Sequence, residues 1–202
     1  MRILVAGYGP FGEVRENPSG RLAEALAAEP GVHAEVLPVS YSGAEQRLEE
    51  LLDTLHPAAV LLFGVQAEPG FRLERVALNL DHESTPDVAG AVRRERAIRE
   101  QGPVAYWSTL PLREMGAALS LLGIDWEWSQ HAGGFLCNHG FYVARDCCTR
   151  LGRPIPCGLV HVPPLSALPL ASQVIAARAC LDTLRAALGR PSLSAGRGEP
   201  SG

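Results

Sequence analysis

One cysteine stands apart by its surroundings. Residues 132–139 read Ala-Gly-Gly-Phe-Leu-Cys-Asn-His, a glycine pair followed by a thiol, and the helical period Phe141, Ala144, Cys148, Leu151 begins directly afterwards. A helix starting here would carry Cys137 at its N-terminus, where the positive end of the dipole and free N–H groups stabilise a thiolate. Those N–H groups would also donate to the oxyanion of an acyl-transfer step. The plainer reading of any one cysteine is a buried packing residue; the glycines and the helix start favour chemistry here. A nucleophilic thiol needs a base. His139 is two residues away, and side chains at i and i+2 diverge on a helix, which leaves it a surface or packing role. His161 lies in Leu159-Val160-His161-Val162-Pro163. It falls near the carboxyl end of an apolar strand, where the sites of open α/β sheets collect. The third member would be a carboxylate that orients the imidazole. Glu74, at the mouth of the alternating stretch Val76, Leu78, Leu80, is the candidate. An ion pair with Arg72 or Arg75 is its bland alternative.

The elements that must position these residues follow from periodicity. Ile3 to Ala6, Val36 to Val39, Ala58 to Phe63, 75 to 80, Val104 to Trp107, Trp126 to Trp128 and Leu159 to Val162 read as strands. Between them, Asn17-Pro18 starts a helix through Leu22, Ala25 and Leu26. Ser42 and Glu45 form a capping box ahead of Leu48, Leu51, Leu52 and Leu55. Leu112, Met115, Leu119 and Leu122 mark another helix, and Val174, Ala177, Leu181, Leu184 and Leu188 the last one. A short helix is expected near Val92 to Arg99. The alternation predicts a single α/β domain over residues 1–189, an α/β/α sandwich with a mostly parallel twisted open sheet. Residues 190–202, rich in Pro, Ser and Gly, read as a disordered tail.

Composition bounds the function classes. The chain has 202 residues, 47% hydrophobic and 20% charged, which predicts a globular protein with one well-buried core. The net charge of −4 gives no electrostatic case for nucleic-acid binding. No apolar run approaches the length of a membrane span, and the N-terminal residues read as a strand rather than a signal peptide. A cytoplasmic location is expected. Five cysteines without a regular framework then read as reduced thiols. A zinc site from Cys147, Cys148, Cys157 and a histidine lacks recognisable ligand spacing.

Gly7-Tyr8-Gly9-Pro10-Phe11-Gly12 matches the dinucleotide-binding pattern after the first strand. Pro10 removes a phosphate-binding N–H, Phe11 adds bulk, and the second strand ends without a carboxylate for a ribose. The better reading is an apolar wall made by Tyr8 and Phe11 at the ligand-binding end of the sheet.

Taken in order, these segments resemble the pyroglutamyl peptidase I family of cysteine peptidases. The resemblance rests on Gly7-x-x-Pro10-Phe11-Gly12 with Asn17-Pro18-Ser19, on Glu74-Arg75-Val76-Ala77-x-Asn79, on Ala132-Gly133-x-Phe135-Leu136-Cys137-Asn138-His139, and on His161-Val162-Pro163. Ser108-Thr109-Leu110-Pro111 adds a weaker match. The resemblance implies hydrolysis of the amide bond after an N-terminal pyroglutamyl residue of peptides. Cys137 would be the nucleophile, His161 the base and then acid, and Glu74 the residue holding His161. Tyr8, Phe11, Asn17 and Phe135 would bind the substrate. No metal or organic cofactor is implied, and the family commonly forms cytosolic homo-tetramers. The chain also departs from the family pattern. Tyr8 stands where Phe is usual, Ser84 where Arg is usual and Val88 where Asn is usual, and the loop before Glu74 is shorter. These departures keep two alternatives open: a homologue that binds pyroglutamate or a related lactam with weak or no turnover, and an enzyme for another small N-acyl amide.

Overall fold

The computed structural model describes residues 1–12 and 14–189; the expected tail at 190–202 lies outside the described residues. In chain order the elements are β1 (Ile3–Tyr8), α1 (Pro18–Leu26), β2 (Val32–Leu37), α2 (Tyr41–Leu55), β3 (Ala59–Val65), β4 (Phe71–Glu74), β5 (Val76–Leu78), β6 (Asp81–Glu83), β7 (Arg93–Arg96), β8 (Ala105–Trp107), α3 (Leu112–Leu121), β9 (Trp126–Ser129), α4 (Leu136–Arg150), β10 (Cys157–Val162) and α5 (Leu170–Leu188). Six strands form the central sheet in the order β2-β1-β3-β10-β4-β9. Neighbours run parallel except β10 and β4, which are antiparallel.

Alternation along the strands makes two cores. Leu4, Ala6, Leu62 and Leu159 face α2 and α4, whereas Ile3, Val5, Phe63 and Val160 face α1, α3 and α5. Both faces are covered, which is why the central strands are continuous apolar runs. The expected α/β/α sandwich with a mostly parallel sheet is the observed architecture. Among the described residues, no helix is long and apolar enough to cross a membrane, and the five cysteines are free thiols.

Three local expectations are corrected. The stretch 75 to 80 is not one strand of the main sheet. The chain breaks after Glu74, and β5 pairs with β8 in a separate antiparallel ribbon. The segment expected as a short helix contains β7, antiparallel to β6. Arg93 there reaches the buried Asp81 carboxylate at 2.8 Å, a tertiary contact that outweighs the weak local preference for helix. Ser42 and Glu45 do not form a capping box. Helix α2 starts at Tyr41, whose N–H donates to Asp87 Oδ2 at 2.8 Å, and Glu45 turns to Arg99 and His139. A carboxylate from a distant loop replaces the local cap.

Candidate active site

Strand order and register bring the three chemical residues together. His161 is opposite Gly64 in the parallel β3–β10 pair and opposite Arg72 in the antiparallel β10–β4 pair. Glu74, two residues beyond Arg72, shares that face as a diagonal neighbour within reach of a long side chain. Its Oε1 lies 2.7 Å from His161 Nδ1, and both residues are buried. The alternative partners of Glu74 are engaged elsewhere: Arg72 pairs with Glu127, and Arg75 lies between the rings of Trp107 and Trp128.

Cys137 is the second residue of α4, and no side chain caps the first N–H groups of that helix. They are therefore free to donate. The thiol approaches His161 from the side opposite Glu74. A methyl group on Gly64 would fall 2.7 Å from Cys137 Sγ and 2.9 Å from His161 Nε2. Sulfur and Nε2 thus meet over the bare backbone of β3, and any side chain at position 64 would wedge them apart. Gly64 was hidden in the apolar run of β3, where only the tertiary register reveals its role.

Burial disfavours charging of His161, but Cys137 and Glu74 on its two nitrogens outweigh that and raise its pKa to about 9.

A cavity of about 380 Å³ opens over Cys137 and His161, lined also by Tyr8, Phe11, Asn17 and Phe135. Phe11 and Phe135 lie 6.1 Å apart, and Tyr41 meets Phe135 edge-on at 5.6 Å from behind. Asn17 borders the cavity but spends its amide on the scaffold. Oδ1 accepts from Ser19 N–H and Ser19 Oγ–H, and Nδ2 donates to Gly9 O. Tyr8 likewise donates its hydroxyl to Leu136 O at 2.7 Å rather than to the cavity. Ser84 is exposed and bonded to Glu83, which is on the rim together with Arg72 and His131.

His139 is fully buried, not at the surface. Its Nδ1 is 3.1 Å from Asp81 and its Nε2 3.5 Å from Glu45. Asn138 holds β5 against α4 through Leu78 N–H, Leu78 O and Leu80 O, each at 2.9 Å. The two residues after Cys137 therefore anchor the segment that follows Glu74, a role that spacing alone could not disclose.

Chemically, a thiol, an imidazole and a carboxylate in line beneath a largely apolar cavity are the groups a thiol hydrolase on an open α/β sheet requires. The comparison with known proteins narrows the class. The chain belongs to the pyroglutamyl peptidase family, which it matches over residues 1–190. It is 38% identical over 170 residues to the pyrrolidone-carboxylate peptidase of Gloeobacter violaceus, covering 81% of this chain and 82% of that one. To the Deinococcus radiodurans protein of the same name it is 38% identical over 176 residues, covering 84% and 81%. The structure of a mutant pyrrolidone carboxyl peptidase from Pyrococcus furiosus superposes with a TM-score of 0.89 at 27% identity, over 93% of this chain and 100% of that one. The Thermococcus litoralis pyrrolidone carboxyl peptidase gives 0.88 at 26% identity, over 93% and 94%.

Proposed function

We propose that this chain is a cysteine peptidase that hydrolyses the amide bond following an N-terminal pyroglutamyl residue. The observation that carries the reading is the His161–Glu74 contact of 2.7 Å, set beside a thiol in the first turn of α4. His161 Nε2 takes the proton of Cys137, and the sulfur attacks the pyroglutamyl carbonyl carbon. The carbonyl π pair moves to oxygen, where N–H groups of the helix start receive it. As the carbonyl re-forms, the C–N bond breaks and His161 returns its proton to the leaving amine. Water, giving a proton to His161, then cleaves the thioester and releases pyroglutamate. A neutral lactam needs no acidic partner in its pocket, and Phe11 with Phe135 offers it an apolar wall.

Family membership also supports a cytoplasmic homo-oligomer, which sedimentation of the purified chain would test. The exposed Ser84 favours a second reading, a lactam-binding homologue with slow turnover. Release of a fluorescent amine from a pyroglutamyl amide separates the two. Activity is expected, and Cys137→Ala should remove at least about 10⁴-fold of it while the fold persists. Tight binding of pyroglutamate by a folded wild-type protein without hydrolysis would favour the second reading.

A further inference from the structure

Tyr8 ends β1 almost fully buried, and its hydroxyl enters the first turn of α4. It donates to the carbonyl oxygen of Leu136, whose peptide unit also contains the N–H of Cys137. Because that unit is planar and trans, a hydrogen bond that fixes the carbonyl also fixes the direction of the N–H on the opposite side. The N–H of Cys137 has no carbonyl one turn back to hold it. The helix makes room for this contact: a methyl group on Gly140 would stand 2.1 Å from the Tyr8 oxygen. Gly140 is therefore a slot in the side of α4 through which the hydroxyl reaches the backbone. Burial and the neighbouring Cys137 raise the phenol well above its ordinary pKa, so it remains a donor throughout the neutral range.

Resting on the reading of Cys137 as nucleophile, we propose that Tyr8 is a positioning residue for the oxyanion, locking the Leu136–Cys137 peptide plane so that the Cys137 N–H is aimed before substrate arrives. The contact supports the transition state rather than the bound lactam, because the hydroxyl is already engaged with the backbone. A phenylalanine would keep the ring and its packing but lose the lock.

The test is a double-mutant cycle over Tyr8→Phe and Gly140→Ala, with three readouts on each protein. These are kcat and KM for a pyroglutamyl amide, inhibition by free pyroglutamate, and inhibition by the pyroglutamyl aldehyde. Addition of the thiol to that aldehyde forms one S–C bond and leaves an oxygen in the oxyanion position. Tyr8→Phe should lower kcat by about tenfold or more and weaken the aldehyde by the same factor. KM and the pyroglutamate constant should stay within about twofold, since neither depends on the oxyanion. Gly140→Ala should reproduce that pattern in the Tyr8 protein, by displacing the hydroxyl. It should cost little further in the Tyr8→Phe background, where nothing occupies the slot. Unchanged kcat and aldehyde inhibition in Tyr8→Phe would overturn the proposal. So would weakening of pyroglutamate in proportion to kcat, which would make Tyr8 an ordinary wall of the pocket, or equal costs of Gly140→Ala in both backgrounds. Should Tyr8→Phe not fold, Gly140→Ala alone reads the same signature. Retained activity in Cys137→Ala would instead overturn the parent reading.

Discussion

At the scale of single residues, the charge state of His161 governs what the site can do and when. Its pKa is carried to about 9 against an ordinary 6.5, so the imidazolium, the proton donor to the leaving amine in the proposed reaction, persists through the neutral range. kcat/KM for a pyroglutamyl amide should therefore hold to about pH 9 and fall beyond it. Replacing Glu74 by Gln removes one of the groups that raise His161, and the alkaline limb should move to lower pH; a limb that stays in place would mean that another group titrates. The same shift stabilises the fold fully below pH 6.5 and loses that contribution as pH rises through about 9. Gly64 makes a sterner demand. The wedge that any Cβ would drive between Sγ and Nε2 predicts that Gly64→Ala loses about 100-fold in turnover with only a small change in melting temperature, which calorimetry beside kinetics would check.

At the scale of elements, α4 is joined to its surroundings by the residues that follow Cys137. His139 fills a buried site between Asp81 and Glu45, and the two carboxylates outweigh the burial penalty and raise its pKa. The neighbouring His139 imidazole, 3.5 Å away, with Arg99 adding to it, holds Glu45 down at about 2 against an ordinary 4.5. The signs are opposite, so the pH windows overlap. The contribution of Glu45 is complete above pH 4.5 and is lost as pH falls toward 2; that of His139 is complete below its ordinary 6.5 and is lost as pH rises through its raised value. The stability difference between wild type and His139→Ala should peak between about pH 4.5 and 6.5, and a difference that is flat with pH would leave His139 a packing role alone. Much at this scale was legible in the sequence. Periodicity located α1, α4, α5 and the central strands, and the glycine pair marked the start of α4. What escaped it depends on distant partners. Asp87 caps α2 from 46 residues away, Asp81 draws Arg93 into a strand, and the break after Glu74 follows from β4 and β5 joining different sheets. Cys137, His161 and Glu74 could be named from their residue types, whereas the slot at Gly140 and the floor at Gly64 required the register.

At the scale of the whole molecule, the layers distribute the aromatic residues unevenly. The large buried rings are Phe and Tyr: Tyr8, Tyr41, Phe63, Phe71, Phe141 and Tyr142. The chain has three tryptophans, and none lies in the buried core; they gather at the β9 edge of the sheet and on the β5–β8 ribbon beside it. Trp126 and Trp128 meet edge-on at 5.1 Å, and Arg75 lies 5.7 Å from the ring of Trp107 and 6.0 Å from that of Trp128. Arg75 directly follows Glu74. Intrinsic fluorescence of this protein is therefore a local gauge of β9 and of the ribbon beside β4, the strand that carries Glu74, while far-ultraviolet dichroism averages over the five helices of the described residues. In a denaturant titration, emission that changed ahead of ellipticity would mark the outer strands peeling from the sheet, and with them the loss of the 2.7 Å contact between His161 and Glu74.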